Sequence, residues 1–398
     1  MTARWARKPS FVGLFCGCGG FDLGFEQAGY RSVAAFDIDS QAVENFNRNL
    51  LGSARSCDLS VLHNLQLPTR PDVVIAGPPC QGFSTLGHRA EHDPRNSLLV
   101  RAATLAARCQ PRVVLIENVL GAIAGVHHSY WIKARRILEL NGFYTREFRI
   151  VGTDFGIPQI RRRVILLAAR RELEDFEGPN NPTNATLATA LKCIEHLPNH
   201  DPHLLRRGTD DYRVAKRIKS HQKLCNVRGG PRSVPTWDIP EVFGAVTSCE
   251  RQLLTAVQRL RRQQRARTFG DADPVHLSAL KEALGTDPKL HVRRLRSKGY
   301  LRQFGNCYDL AHTFNGKYRR LSWDHPAPTV DTRFGQPRYF LHPDEHRGLS
   351  VREAARIQGF PDDFVFSGSR STQFRMIGNA VAPPIGQWFA QTILERLL

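Results

Sequence analysis

The turn Gly77-Pro78-Pro79-Cys80-Gln81-Gly82-Phe83-Ser84 places a thiol where a nucleophile would be useful. It follows the apolar run Asp72–Ala76, which reads as a strand, and the two prolines remove two backbone donors and stiffen the approach. Cys80 is thereby presented at the carboxyl end of a strand, the end where open α/β sheets bind ligands, and Gly82 permits a mobile loop after it. A cysteine kept for packing sits more often inside an apolar run than at a rigid turn, so the reading is a nucleophile acting as its thiolate. A second turn, Phe15-Cys16-Gly17-Cys18-Gly19-Gly20, leads from another strand into a helix opening near Phe21. Its glycines permit a tight turn and the close approach of a ligand, and the helix N-terminus offers N–H groups to an anion. The next strand ends at Asp37, placed to accept from ribose hydroxyls. Ile38 would then cover one face of an adenine, and Asp58 would accept from its amino group. Helix capping accounts for Asp39 better than for Asp37. Dinucleotide oxidoreductases share such a turn, but the spacing G-x-G-x-x-G is not met, because Asp22 stands where the last glycine belongs. A ligand without pyrophosphate suits the turn, and S-adenosylmethionine is one, while NAD stays open on these residues alone.

Such turns need strands that end side by side. Between Phe11 and Ala169 short apolar runs at Phe11–Phe15, Ser32–Phe36, Asp72–Ala76, Val113–Glu117 and Val164–Ala168 alternate with helical stretches. The helical stretches are Phe21–Ala28, Ser40–Leu50, Ser97–Arg108 and Trp131–Asn141. That rhythm predicts an α/β fold, a doubly wound, mostly parallel, Rossmann-like sheet. It stops near Arg171, and the region to Tyr339 is rich in Arg, Pro, Gly and His without regular alternation. From His342 helical signals return, ending in the apolar segment Pro384–Leu398. The predicted organisation is a catalytic and cofactor-binding segment at 1–170, a smaller inserted unit at 171–339, and a segment at 340–398 that completes the first.

Composition narrows the class. Of 398 residues 41% are hydrophobic and 23% charged, and no apolar run approaches the about 20 residues of a membrane span. Arg4, Arg7 and Lys8 are not followed by the long apolar stretch of a secretory signal, so a soluble, cytoplasmic protein is expected. Nine cysteines without a C-x-x-C pair argue against a disulfide framework, a zinc knuckle or a redox dithiol. Most of them, Cys109 for example, read as small buried hydrophobes. The net charge of +19 points to a polyanion, because each neutralised phosphate releases counterions. Residues 201–300 hold 21 Lys plus Arg against 10 Asp plus Glu, so one segment carries over half of the excess. Within it Arg251–Arg267 reads as a helix with an apolar stripe of Leu253, Leu254, Val257 and Leu260. Its charged face, Arg259, Arg261, Arg262, Arg265 and Arg267, is either solvated or phosphate-tracking.

G-P-P-C-Q-G-F-S resembles the catalytic motif of the cytosine-5 DNA methyltransferases, and the family's other motifs follow in order. F-C-G-C-G-G (Phe15–Gly20) resembles its cofactor loop, D-P-R-N-S-L (Asp93–Leu98) the segment after its catalytic loop, and E-N-V (Glu117–Val119) its acid motif. Q-I-R-R-R (Gln159–Arg163) resembles its Q-x-R-x-R motif, while R-E-A-A-R-I-Q-G-F-P-D-D-F (Arg352–Phe364) and I-G-N-A-V (Ile377–Val381) resemble the last two. The matches cover Phe11–Ala169 and His342–Leu398, and between them this family carries its variable target-recognition domain.

The resemblance implies the class I methyltransferase fold, S-adenosyl-L-methionine without a metal, and double-stranded DNA as substrate. It implies that the Cys80 thiolate adds to carbon 6 of cytosine, so that carbon 5 can take the methyl group. Glu117 would hold or deliver a proton at ring nitrogen 3. One of Arg161 and Arg163 would bond the cytosine oxygen, and their charge would favour the thiolate. The implied cofactor set is Phe15, Gly17, Gly19, Gly20, Asp37, Ile38, Asp58, Leu59, Pro79, Leu98 and Asn379, with Asp37 where many relatives have the longer Glu. Because the target atom is unreachable inside a duplex, the base must be flipped out. Gln81, Ser84, Arg89, Gln159 and Thr329 are then the expected DNA contacts, and the loop from Gln81 to about Arg95 fills the vacated space. The chain is similar to modification enzymes of bacterial restriction-modification systems. That implies a monomer associated with the nucleoid through DNA, and a cognate restriction endonuclease acting on the same site.

Three rivals remain in view. The related transfer-RNA cytosine-5 methyltransferases share most of these motifs but typically carry Cys-Phe-Thr late in the chain, a tripeptide missing here. A catalytically silent DNA-binding protein is disfavoured by intact Cys80, Glu117 and Arg163. An NAD oxidoreductase is disfavoured by the glycine spacing.

Overall fold

Runs of Val, Ile and Leu bounded by polar turns fold as central strands buried on both faces, and in this chain they gather into one sheet. The computed structural model describes residues 7–61, 66–79, 96–174, 176–179, 183–267 and 272–398. Cys80, Gln81, Ser84 and Arg89 lie outside the described residues. By internal contacts the chain divides into two units, one of residues 1–201, 323–333 and 351–398, the other of 202–322 and 334–350.

The strands within residues 1–201 are β1 (Ser10–Leu14), β2 (Arg31–Asp37), β3 (Ala54–Ser56), β4 (Val73–Ala76), β5 (Val113–Val119), β6 (Tyr144–Val151), β7 (Gln159–Ile160) and β8 (Arg162–Ala169). Seven form a sheet in the order β3-β2-β1-β4-β5-β8-β6. The first five run parallel, and β8 is antiparallel to both β5 and β6. Helices α1 (Gly20–Gln27), α2 (Ser40–Asn49), α3 (Ser97–Arg108) and α4 (His128–Leu140) connect them. The chain steps outward from β1 to β3 and then returns to β4. The topological switch point therefore lies between β1 and β4, where such sheets bind ligands at their carboxyl ends.

Period-two alternation sorts the strand residues onto two faces. Val12, Leu14, Val74, Ala76, Val114 and Ile116 pack with α3 and α4 through Leu99, Ala102, Trp131 and Leu138. Phe11, Val73, Ile75, Val113, Leu115 and Ile165 pack with Phe21 and Phe25 of α1 and with Ile385, Phe389 and Ile393 of the helix Pro383–Arg396. Fully burying each large apolar side chain contributes roughly 1.5–3 kcal/mol, so the C-terminal helix is held firmly against α1. The Tyr30 hydroxyl adds a hydrogen bond to the Ala390 carbonyl at 2.9 Å.

The unit boundaries differ from the expected ones at 171 and 339. Residues up to 201 stay with the first unit, where Ala188 N–H donates to the Trp323 carbonyl at 3.0 Å. Residues 323–333 join it because Ala327–Pro328 pairs in parallel with β7.

The second unit has its own core of Trp237, Leu253, Leu254, Val257, Leu280, Leu295 and Leu310. Two three-stranded sheets belong to it, one built on Lys223–Cys225 and the other on Cys307–Leu310. The predicted Arg-rich helix spans Ser248–Gln263 and opens with a capping box of Thr247 and Glu250, which supplies two otherwise orphaned amides with partners. The helix ends four residues short of the expected Arg267, so Arg265 and Arg267 lie beyond it, and two of the five arginines expected on its charged face are engaged in ion pairs. Arg261 is buried against Asp309 at 2.7 Å and exposed Arg267 pairs with Asp273, while Arg259, Arg262 and Arg265 are exposed as well. Among the described residues no helix is long and apolar enough to cross a membrane.

Candidate active site

At the carboxyl ends of β1, β2, β4 and β5 the first unit opens a cavity of about 450 Å3. Its wall includes Phe15, Gly17, Asp22, Asp37, Ile38, Pro79, Glu117, Arg161, Arg163 and Asn379. Phe15 leaves β1 with φ 56°, a left-handed setting uncommon for an aromatic residue. Cys16 N–H donates to the Phe36 carbonyl at 3.0 Å and Gly17 N–H to Asp37 Oδ2 at 2.8 Å, so the loop is tied to the end of β2. Asp37 Oδ1 accepts from Asp39 N–H at 2.9 Å. Burial pushes the Asp37 carboxyl upward, opposed by these amide bonds. A carboxylate has about four acceptor sites, which leaves capacity for ligand hydroxyls. Ile38 is 67% exposed on the cavity wall, an apolar surface suited to a flat ring. Asp39 caps α2 through the amides of Gln41 and Ala42 and pairs with Arg375 at 2.9 Å.

Other members of the expected cofactor set are placed elsewhere. Gly19 (φ 90°) forms the N-cap of α1, and a Cβ on Gly20 would lie 2.3 Å from the Val381 carbonyl oxygen. Both serve close packing of the chain and stand outside the cavity wall. Asp58 is exposed and accepts from Ser60 N–H at 2.8 Å. Leu59 is buried in the core on the α3 side of the sheet, and half-buried Leu98 stands in the first turn of α3. None of these three reaches the wall.

Glu117 and Arg163 meet because β5 and β8 run antiparallel. Glu117 is opposite Ile165 and Val119 opposite Arg163, so Glu117 and Arg163 are diagonal neighbours on one face, within reach of long side chains. Arg163 Nε stands 2.9 Å from Glu117 Oε1, and both side chains are 10% exposed. Asn118, which the motif reading passed over, donates from Nδ2 to the Pro78 carbonyl at 3.3 Å and accepts Val119 N–H at 2.9 Å. It ties the acid strand to the proline turn that precedes Cys80.

Gln159 and Arg161 belong to a buried network. Gln159 is 0% exposed, donates to Gln358 Oε1 at 2.7 Å and to the Ile357 carbonyl at 3.2 Å, and accepts Val330 N–H at 2.9 Å. Gln358 in turn donates to the Ala380 carbonyl at 2.8 Å. A side chain so enclosed presents no surface to DNA, which corrects the expected contact. The Arg161 guanidinium donates to the carbonyls of Val330, Gly378 and Ala380 at 2.9–3.3 Å. These bonds position the 378–380 segment that contains Asn379 and engage the Arg161 guanidinium, which leaves Arg163 as the arginine of the expected pair placed beside Glu117. Thr329 Oγ donates to the Ile160 carbonyl at 3.0 Å, so its hydroxyl faces β7. Arg161→Ala is expected to cost about 3 kcal/mol, because three buried carbonyls lose charged donors. Arg161→Lys should not restore the loss, lacking the planar fork. Urea denaturation of the three proteins reads both.

The cavity also holds two thiols, Cys16 and Cys18. Burial pushes Cys16 well above its ordinary value and Cys18 up to about 12, so both remain neutral and unreactive. Cys109 is buried as expected, but Cys193 and Cys249 are exposed.

The sheet order, with the cavity at its switch point, defines a class I methyltransferase fold. The family described as C-5 cytosine-specific DNA methylase matches residues 10–395, and the chain belongs to that family. Its activity is methyl transfer to carbon 5 of cytosine in DNA. The chain is similar to the Type II methyltransferase M.AgeI of Thalassovita gelatinovora, 30% identical over 96% of this chain and 98% of that protein. Type II methyltransferase M.DdeI of Desulfomicrobium norvegicum is 29% identical over 96% of this chain and 88% of its own. A crystal structure described as a DNA modification methyltransferase encoded within an E. coli prophage shares the fold, with a TM-score of 0.59. It is 22% identical and the match covers 98% of this chain and 99% of that one.

Proposed function

We propose that the chain methylates a flipped-out cytosine in a specific duplex sequence with S-adenosyl-L-methionine, as the modification enzyme of a restriction-modification system. The observation that carries this reading is one cavity wall holding Asp37, Ile38, the Pro78–Pro79 turn and the Glu117–Arg163 pair. The donor set fits the cofactor, since a carboxylate with free acceptor capacity adjoins an exposed apolar side chain, as an adenosine requires. When bound, that cofactor supplies an electrophilic methyl group. Cys80 follows Pro79 in the chain, and its thiolate adds to carbon 6 of the cytosine, raising the electron density at carbon 5. Glu117 holds a proton at ring nitrogen 3, stabilising the charge that develops there. Arg163 orients Glu117 through their ion pair. After transfer the hydrogen on carbon 5 leaves as a proton and the Cys80 thiolate is expelled, restoring the ring double bond. The enzyme so described would act as a monomer. A cognate restriction endonuclease would share its site.

Sequence choice is assigned to the second unit. Arg293, Arg296, Arg302 and Gln303 there line a concave surface beside Phe304, which is 51% exposed. Arginine and glutamine forks can read base edges and hold phosphates. Replacing residues 202–322 by the corresponding segment of a relative with another target should move the methylated sequence, read by bisulfite sequencing of host DNA. Unchanged sites with retained activity would refute this division of labour.

A further inference from the structure

Asp22 stands in the first turn of α1, 1% exposed, and forms part of the cavity wall. No other residue donates a hydrogen bond to its carboxyl oxygens, and only its own backbone N–H approaches them. Gly13 of β1 makes room for it, because a Cβ there would lie 2.1 Å from Asp22 Oδ1. Buried polar groups are almost always satisfied, and a carboxyl buried without a donor is costly to fold. One set against a ligand cavity therefore asks for a donor from the ligand. Among the described residues, the groups that act electrostatically on it are Glu26 of its own helix, Asp37 at the end of β2, and the Cys16 and Cys18 thiols of the loop. None of them is a cation.

We propose that Asp22 receives the ammonium group of the cofactor's amino-acid tail, an inference that rests on the S-adenosylmethionine reading above. The cofactor then supplies the cation that the protein withholds. Burial pushes the Asp22 carboxyl up to about 8, so in the free protein at pH 7 it is mostly protonated. An ammonium partner favours the carboxylate, which lowers that value in the complex. Binding therefore releases a proton between the bound and free values, and affinity rises as the pH climbs toward 8.

Calorimetry on the full chain tests this with three probes. S-adenosyl-L-homocysteine carries the whole tail, its decarboxylated analogue keeps the ammonium, and 5′-methylthioadenosine lacks both tail charges. In two buffers of different ionisation heat at pH 7, the first two should release close to one proton per site and the third none. Asp22→Asn should weaken the first two about tenfold to a hundredfold, the loss of one charge-assisted bond, leave the third unchanged and abolish the proton release. If Asp22→Asn fails to fold, the proton counts of the wild-type chain still decide. Binding of S-adenosyl-L-homocysteine without proton release, or equal weakening of all three probes, would overturn the role of Asp22. Failure of the wild-type chain to bind any of them would instead overturn the cofactor reading itself, and Asp22's role with it.

Discussion

Glu117→Gln is expected to leave cofactor binding near that of the parent while slowing methyl transfer by about two to four orders of magnitude, the usual contribution of a positioned general acid. Glutamine has nearly the same shape and still hydrogen-bonds, so the register of β5 on β8 and the Asn118 bond to Pro78 should survive. What is lost is the group that carries the proton to the base and the charge that pairs with Arg163 at 2.9 Å. The cofactor end of the cavity, built on Phe15, Gly17, Asp37 and Ile38, lies at the carboxyl ends of β1 and β2 and is untouched by the change. Single-turnover rates on duplex DNA and calorimetry with S-adenosyl-L-homocysteine measure the two effects separately. A full-rate variant would remove Glu117 from the mechanism. Equal losses in rate and cofactor affinity would mean that it holds the cavity together and takes no part in the chemistry.

Most strands that carry the site, β1, β4, β5 and β8, were legible because they are buried on both faces and read as continuous apolar runs, while half-exposed β2 showed itself through the short apolar run Val33–Phe36. β1, β2, β4, β5 and β8 fall within two residues of their expected limits. β6 was not, because Tyr144–Val151 alternates charged and apolar residues, with Phe148 and Ile150 buried and Arg149 exposed. β3 is only three residues long, too short for a period to show. The same limit applies to the site. Gln159 and Arg161 sit in a basic, outwardly polar motif, and their burial depends on partners 169 to 219 positions along the chain. Asp22 looks in the sequence like an ordinary acid in the first turn of a helix, favourable to the helix dipole. Only the sheet, with Gly13 beneath it, reveals a carboxyl to which no other residue donates. A glycine in a strand paired with an acid nine residues on is a signal that could have been sought, since a missing side chain in a buried strand marks a close approach.

Cys80 should form a covalent bond to the base during turnover, and DNA carrying 5-fluorocytosine at the target position makes the bond permanent. The other thiols of the cavity are poor candidates, since Cys16 and Cys18 are held neutral by burial. Exposed Cys193 and Cys249 do not line it. Addition of a thiolate to carbon 6 forms a carbon–sulfur bond, and the electron pair so raised at carbon 5 takes the methyl group. Release then requires the substituent on carbon 5 to leave as a positive ion, so that its bonding pair can rebuild the double bond and expel sulfur. Hydrogen leaves as a proton, whereas fluorine cannot leave as a cation, and the adduct persists. A cofactor-dependent enzyme–DNA complex is therefore expected to survive denaturing electrophoresis, with the cross-link mapped to Cys80 by peptide analysis and absent from Cys80→Ala. The same variant should lose methyl transfer below detection while binding S-adenosyl-L-homocysteine, because no other cavity thiol can replace the nucleophile. Cross-linking that persists in Cys80→Ala, or normal methylation by it, would mean that another residue attacks the base.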